Sequence, residues 1–120
     1  MQGTVIPLFL MFAMALTLAD YPDAIANAEV ATLAAQAAAL VLAETVEGRR
    51  AQFAAMVATD PALKNEAQRK AGIAELQGSD PEFVGLAQKQ RSAAETLELT
   101  RIEVRRLERL FQVALVLAKG

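Results

Sequence analysis

The sequence predicts an all-α protein: a long antiparallel helical hairpin, coiled-coil-like, with a short helix at its turn and an apolar helix at its N-terminus. Apolar residues make up 54% of the 120 residues but aromatic residues only 5%, so most of the apolar surface is Ala, Leu and Val. Nothing in the chain alternates as a half-buried strand does. Both Asp-Pro steps lie in residues 60–83, and long helical patterns flank them. We therefore place the turn there and treat residues 1–120 as one domain.

The apolar N-terminal segment, residues 1–19, has no charged side chain from Thr4 to Ala19. A signal peptide would need a basic start, which residues 1–3 lack, and a membrane helix would need about 20 apolar residues. We favour a short core or oligomer helix that begins near Pro7, and keep membrane and signal segments as alternatives. Its candidate oligomer or lipid contacts are Phe9, Phe12 and Leu16.

The first long helix is predicted over residues 22–59, with Pro22 in its first turn. Residues 24–43 are Ala-rich and apolar around most of the helix, so one antiparallel neighbour cannot cover them. We expect a homo-oligomer, or lipid, to supply the remaining cover, with Leu33 and Leu40 among the contacts. Gly48 marks either a close contact or a weak point. Beyond Glu44 the helix becomes amphipathic, with one apolar side formed by Val46, Phe53, Met56 and Val57.

The turn helix is predicted over residues 60–78, with Thr59 or Asp60 as its cap and an end at Gly78. Ser79 or Asp80 should then cap the last helix, residues 81–118. That helix has a heptad seam, which predicts coiled-coil-like pairing. The seam consists of Leu86, Ala93, Leu97, Val104, Leu107, Phe111, Ala114 and Ala118, with Gln90 and Thr100 as polar exceptions. Phe111 and Leu115 are further candidate oligomer or lipid contacts.

The composition argues against catalysis. The chain has no Cys and no His, which excludes disulfides, thiolate nucleophiles and the commonest general base and metal ligand. No Gly-rich phosphate loop or nucleophile elbow is present. We expect no enzyme and no catalytic, cofactor or metal site.

Every Lys and Arg lies at or after Arg49, so the basic residues are concentrated in the later part of the chain. One group at the turn is a candidate contact for phosphate: Lys64, Asn65, Gln68, Arg69 and Lys70. Acidic residues are interspersed and no aromatic side chain is available for base stacking, so a solvated or protein-contacting tip is the simpler interpretation. A second basic row, Arg101, Arg105, Arg106 and Arg109, alternates with glutamates and is typical of a solvated helix face.

Residues 64–118 carry several short motifs in a fixed order. These are Asn-Glu-Ala-Gln-Arg-Lys-Ala at 65–71, Glu75-Leu76, Asp-Pro-Glu-Phe at 80–83, Arg-Ile-Glu-Val at 101–104, and Leu110-Phe111. With these motifs the chain resembles a class of small phage or prophage accessory proteins. The resemblance implies a coiled-coil protein of unsettled function from gene sets that include DNA recombination genes, and it brings no catalytic residues.

Together these observations predict a non-enzymatic, cytoplasmic helical interaction protein of phage or mobile-element type. We expect it to act by self-association and by contact with a protein partner that the sequence does not identify. One alternative is an accessory protein in DNA recombination or replication that contacts nucleic acid through its basic tip. Another is a membrane-associated subunit anchored by residues 4–19.

Overall fold

The computed structural model describes residues 16–119, which form a short 3₁₀ turn and three α-helices. The 3₁₀ turn is Leu18–Asp20, and the helices are α1 (Tyr21–Ala58), α2 (Glu66–Ser79) and α3 (Pro81–Lys119). No strand occurs among these residues, and the predicted all-α hairpin with a short helix at its turn is confirmed. The predicted N-terminal helix lies almost entirely outside the described residues, as do Phe9 and Phe12.

The start of α1 is fixed by Thr17 and Asp20. The Asp20 carboxylate accepts hydrogen bonds from the backbone N–H of Thr17 at 2.9 Å and from its hydroxyl at 2.8 Å. These bonds favour the charged carboxylate and lower the pKa of Asp20. The helix then begins at Tyr21, one residue before the predicted start, with Pro22 in its first turn as expected.

The turn helix begins later than predicted, at Glu66 rather than at residue 60. The Asp60 carboxylate accepts a bond from the Ala62 N–H at 2.9 Å, which makes a local turn but no helix. The cap is Asn65, whose side chain accepts from the Gln68 N–H at 2.8 Å, while Gln68 accepts in return from the Lys64 N–H at 2.7 Å. The Asn65 side chain satisfies one of the free N–H groups in the first turn, and the return bond to Lys64 fixes the residue before the cap, so the helix begins there.

The boundary between α2 and α3 follows the predicted Asp-Pro step. Asp80 has an extended backbone (φ −97°, ψ 106°), because the ring of Pro81 disfavours a helical residue before it. The Asp80 Oδ1 atom accepts from the Glu82 N–H at 3.0 Å and caps α3, as expected. The predicted stop at Gly78 was wrong by one residue, since α2 continues to Ser79.

The described residues fall into two compact units. The first comprises the chain up to Leu33 together with the part from Glu98 onward, and the second comprises Ala34–Leu97. In the first unit the buried ring of Tyr21 stacks on Phe111 with a centroid distance of 5.6 Å, and Leu107 is buried. Phe111, a predicted oligomer or lipid contact, is thus half-buried against residues of its own chain. Whether residues 1–120 fold as one domain stays a prediction.

The second unit has its core where all three helices meet. Val46 and Phe53 from α1 and Phe83 from α3 are buried together, and the two rings meet edge to face at 5.4 Å. Three partly buried side chains complete the core: Ile73, Leu76 and Leu86. Val57 is also buried, but Met56 is 56% exposed, so its predicted place on this side was wrong. Met56 lies about 100° around the helix from Val57, which turns it away from the core.

The predicted seam of α3 agrees with the burial of its residues. Nine of its ten positions are buried or half-buried, including the polar Gln90 and Thr100. Ala118, in the last turn, is exposed. The heptad pattern therefore located the face of α3 that packs against α1, as coiled-coil-like pairing requires.

Candidate interaction surfaces

In each unit, α1 carries exposed apolar side chains on the side away from its buried residues. In the first unit Val30 and Leu33 are 64% and 65% exposed, and in the second unit Leu40 and Val41 are 60% and 61% exposed. Val30 and Leu33 are three residues apart and share one side of the helix in the first unit, and Leu40 and Val41 are adjacent on its exposed side in the second. The inward side consists of buried or half-buried residues at the same spacing: Tyr21, Ala28, Thr32, Ala35, Ala39, Leu42, Val46, Phe53 and Val57.

The composition of α1 predicted that one neighbouring helix could not cover residues 24–43. The structure assigns the uncovered side to Val30, Leu33, Leu40 and Val41, which we call the outer face. Of the other predicted contacts on the described residues, Leu16 and Leu115 are half-buried. Leu33 and Leu40 are therefore the predicted contacts that are most available to a partner.

An open groove of about 540 Å³ lies in the first unit. Its α1 wall is formed by Glu29, Thr32 and Leu33, and its α3 wall by Arg101, Val104 and Arg105. Leu33 therefore belongs both to the outer face and to this groove. No sequence signal connects the two walls, because their residues are far apart in the chain.

The charges of the groove are poorly matched within the chain. Arg101 Nη1 lies 3.9 Å from one oxygen of Glu98, and Arg105 Nη2 lies 3.6 Å from the other. Both separations exceed a normal hydrogen bond, and two guanidinium groups share one carboxylate. Among residues 16–119, Glu29 makes no ion pair. The α3 wall therefore carries surplus positive charge and the α1 wall a free negative charge.

Other charges on α3 are paired closely. Arg106 Nη2 lies 2.7 Å from Glu103 Oε2, and its Nε donates to Oε1 at 2.8 Å. This bidentate pair lowers the pKa of Glu103 and raises that of Arg106. The pairing agrees with the prediction of a mixed-charge helix surface.

The five candidate tip residues fall into two groups. Asn65 and Gln68 are engaged in capping α2, so their side chains have a structural role. Lys64, Arg69 and Lys70 are exposed and make no ion pair within the described part of the chain. Of the five candidates, these three therefore remain available to an anionic partner.

Arg49 and Asp80 form a contact that the sequence did not indicate. Arg49 is half-buried, and its Nη2 and Nε lie 2.6 and 3.2 Å from Asp80 Oδ2. The hydrogen bonds lower the pKa of Asp80 and raise that of Arg49. The Arg49 guanidinium also lies 5.2 Å from the centroid of the Phe53 ring. The pair therefore connects the core of the second unit to the cap of α3.

The titratable groups with perturbed pKa values are all held in their charged forms. Each resolved pKa shift, at Asp20, Arg49, Asp80, Glu103 and Arg106, favours the charged form through a hydrogen-bond partner. Within residues 16–119 there is no group of three or more acidic residues placed to hold a metal. The absence of enzymatic activity stays a prediction.

One helical stretch of the described residues, Leu18–Ala58, is long and apolar enough to cross a membrane by length and composition alone. The mean hydropathy of its most apolar window is 1.5. This stretch differs from the predicted anchor at residues 4–19, most of which lies outside the described residues.

No family model matches the chain, and neither a curated protein nor a solved structure shows a significant match. The resemblance of residues 64–118 to phage accessory proteins therefore stays a prediction.

Proposed function

We propose that the chain is a non-enzymatic helical interaction protein that acts by self-association and contact with other proteins through the outer face of α1. The observation that supports this is the exposure of Val30, Leu33, Leu40 and Val41 on the side of α1 away from its buried residues. Full burial of one such side chain contributes about 1.5–3 kcal/mol, so a partner that covers the pair in either unit gains several kilocalories per mole. The phage or mobile-element setting implied by the resemblance is part of the same proposal.

A protein partner fits the first unit better than lipid does. Tyr21 stacks on Phe111, and Leu33 shares a groove with Arg101 and Arg105, so the charged stretch of α3 lies beside the start of α1. Insertion of that part of α1 into a bilayer would carry the arginines with it. A charged side chain at the bilayer centre costs about 2.5–3.5 kcal/mol on insertion scales. A cytoplasmic location is therefore part of the proposal, with membrane association as the alternative.

The solution mass of the full chain in detergent-free buffer tests this proposal. We expect a soluble oligomer, and we expect Leu33→Gln with Leu40→Gln to shift it toward monomer. Met56→Gln is the matched control, since Met56 is similarly exposed but lies on another side of α1. A wild-type monomer, or a protein recovered only with detergent, would refute the proposal, and the second result would support the membrane alternative.

A nucleic-acid accessory role is the second candidate function. It is favoured by the exposure of Lys64, Arg69 and Lys70 and by the absence of ion pairs to them within residues 16–119. Phosphate contacts would make binding steeply dependent on salt. Failure to bind single- or double-stranded DNA at low salt would remove this candidate.

A further inference from the structure

The groove of the first unit has walls of opposite charge. Glu29 on α1 is without an ion pair among residues 16–119, while Arg101 and Arg105 on α3 share Glu98 at 3.9 and 3.6 Å. Leu33 and Val104 line the groove between these charges. A partner that fits must therefore present a cation to one wall, an anion to the other and apolar surface between them.

A second copy of the chain meets this requirement by symmetry. A two-fold axis parallel to the helices places α1 of one copy over α3 of the other without a shift along the helix axis. Because Glu29, Arg101 and Arg105 line the same groove, they lie at the same level along the helices. Each copy would then set its Glu29 against the two arginines of the other, and the interface would contain every contact twice.

We infer that this groove is the self-association surface, with Glu29 of each copy paired with Arg101 and Arg105 of the other and Leu33 packed over Val104. The inference rests on the proposed function and deepens it: Leu33 belongs to both the outer face and the groove, and the groove is named as the place where two copies pair. Other occupants would pair with fewer of the charged side chains of the groove. An acidic peptide would face Glu29, a basic peptide would face two arginines, and lipid tails would leave all three charges without partners.

A charge-swap experiment on the full chain tests the pairing. Glu29→Arg should place three cations at each pairing point, and Arg101→Glu with Arg105→Glu should place three anions there. Each variant alone should dissociate at a concentration at least about tenfold higher than the wild type, because like charges across an interface are strongly unfavourable. An equimolar mixture should form a heterodimer of near wild-type affinity, detected by native mass spectrometry and sedimentation.

The controls separate an interface effect from a folding effect. Lys89→Glu changes the charge of an exposed residue in the second unit and should leave association unchanged. Helix content by circular dichroism checks that each variant folds. If the arginine double variant unfolds, Glu29→Gln replaces it, and this neutral variant should reduce the salt dependence of the wild-type dissociation constant.

The outcomes distinguish the two proposals. If the wild type self-associates but the mixture gives no preferred heterodimer, or Glu29→Gln leaves the salt dependence unchanged, the groove is not the interface and the proposed function stands. If the wild type does not self-associate without detergent, both proposals fail. Selective recovery of the heterodimer supports both.

Discussion

Replacement of Gly48 with Ala should stabilise the protein, because the structure gives this glycine no packing role. Gly48 lies in the interior of α1, and a Cβ atom built on it meets no heavy atom within 4 Å beyond its own helix. The substitution therefore neither fills a contact nor creates a clash. What remains is the difference in helix propensity, which favours Ala by about 1 kcal/mol. For a chain of this size that gain should raise the melting temperature by roughly 3–5 °C.

Gly72 provides a matched comparison in a second helix. A Cβ atom built there would lie 3.0 Å from Leu63 Cδ1 and 3.4 Å from Val57 Cγ2. The first distance is below the optimal carbon–carbon separation, so the Leu63 side chain must shift by a few tenths of an ångström, while the second is close to an ordinary contact. Overpacking of this kind costs about 1–3 kcal/mol and offsets the propensity gain. We therefore expect Gly72→Ala to be less stable than Gly48→Ala by about 1 kcal/mol or more.

Urea denaturation followed by circular dichroism measures both variants. All samples must have the same protein concentration, because self-association would add to the apparent stability. A stabilised Gly48→Ala with a neutral or destabilised Gly72→Ala is the expected result. The reasoning would be refuted if Gly48→Ala lost stability, which would show that the backbone at this position contacts something in the folded protein. It would equally be refuted if both substitutions stabilised the chain by the same amount.

Three further predictions concern the second unit and its tip. Val46→Ala should lower the free energy of unfolding by about 2 kcal/mol, because Val46 is fully buried, whereas Met56→Ala should change it by less than about 0.5 kcal/mol. Equal losses in urea denaturation would contradict the assigned core. Asp80→Asn keeps the capping oxygen but removes the charge that faces Arg49. Since the folded state lowers the pKa of Asp80, the ion pair stabilises the protein above the ordinary value of 3.8 and is lost as pH falls below it. The variant should therefore be less stable at neutral pH and lose less stability on acidification, and identical pH profiles would refute the role of the pair. If the tip binds DNA, Arg69→Glu should weaken binding and reduce the salt slope by about 1, as filter binding at several salt concentrations would show.

The two Asp-Pro steps show how far local sequence patterns determine helix starts. Asp60-Pro61 and Asp80-Pro81 look alike in the sequence, and both were predicted to begin a helix. Only Asp80 does so, because Asp60 forms a local turn with Ala62 while Asn65 provides the cap. All of these candidate capping residues could be identified in the sequence. Which of them begins a helix depends on how the chain packs after the turn.

The periodic pattern of apolar residues predicted a packed helix face, whereas contacts between single residues far apart in the chain could not be predicted. The heptad pattern of α3 identified its packed face, since every position contributes to the same periodicity and single errors do not change it. The Arg49–Asp80 pair joins residues 31 positions apart. Likewise, the groove joins Glu29 to Arg101 and Arg105, and no local pattern records that these residues meet. Such contacts follow from the alignment of two long helices, which the sequence left open.

The distribution of side-chain size on α1 is the strongest reason to expect a partner. Its inward side carries small residues at Ala28, Ala35 and Ala39, which let the backbones of a hairpin approach closely. The larger apolar residues of the same segment, among them Leu33 and Leu40, point outward. A helix that packed in a monomer alone would place its larger apolar residues inward, because their burial contributes most to stability. Between residues 28 and 41 this arrangement leaves a large hydrophobic gain unrealised among the described residues, and a second surface on the outer face would realise it.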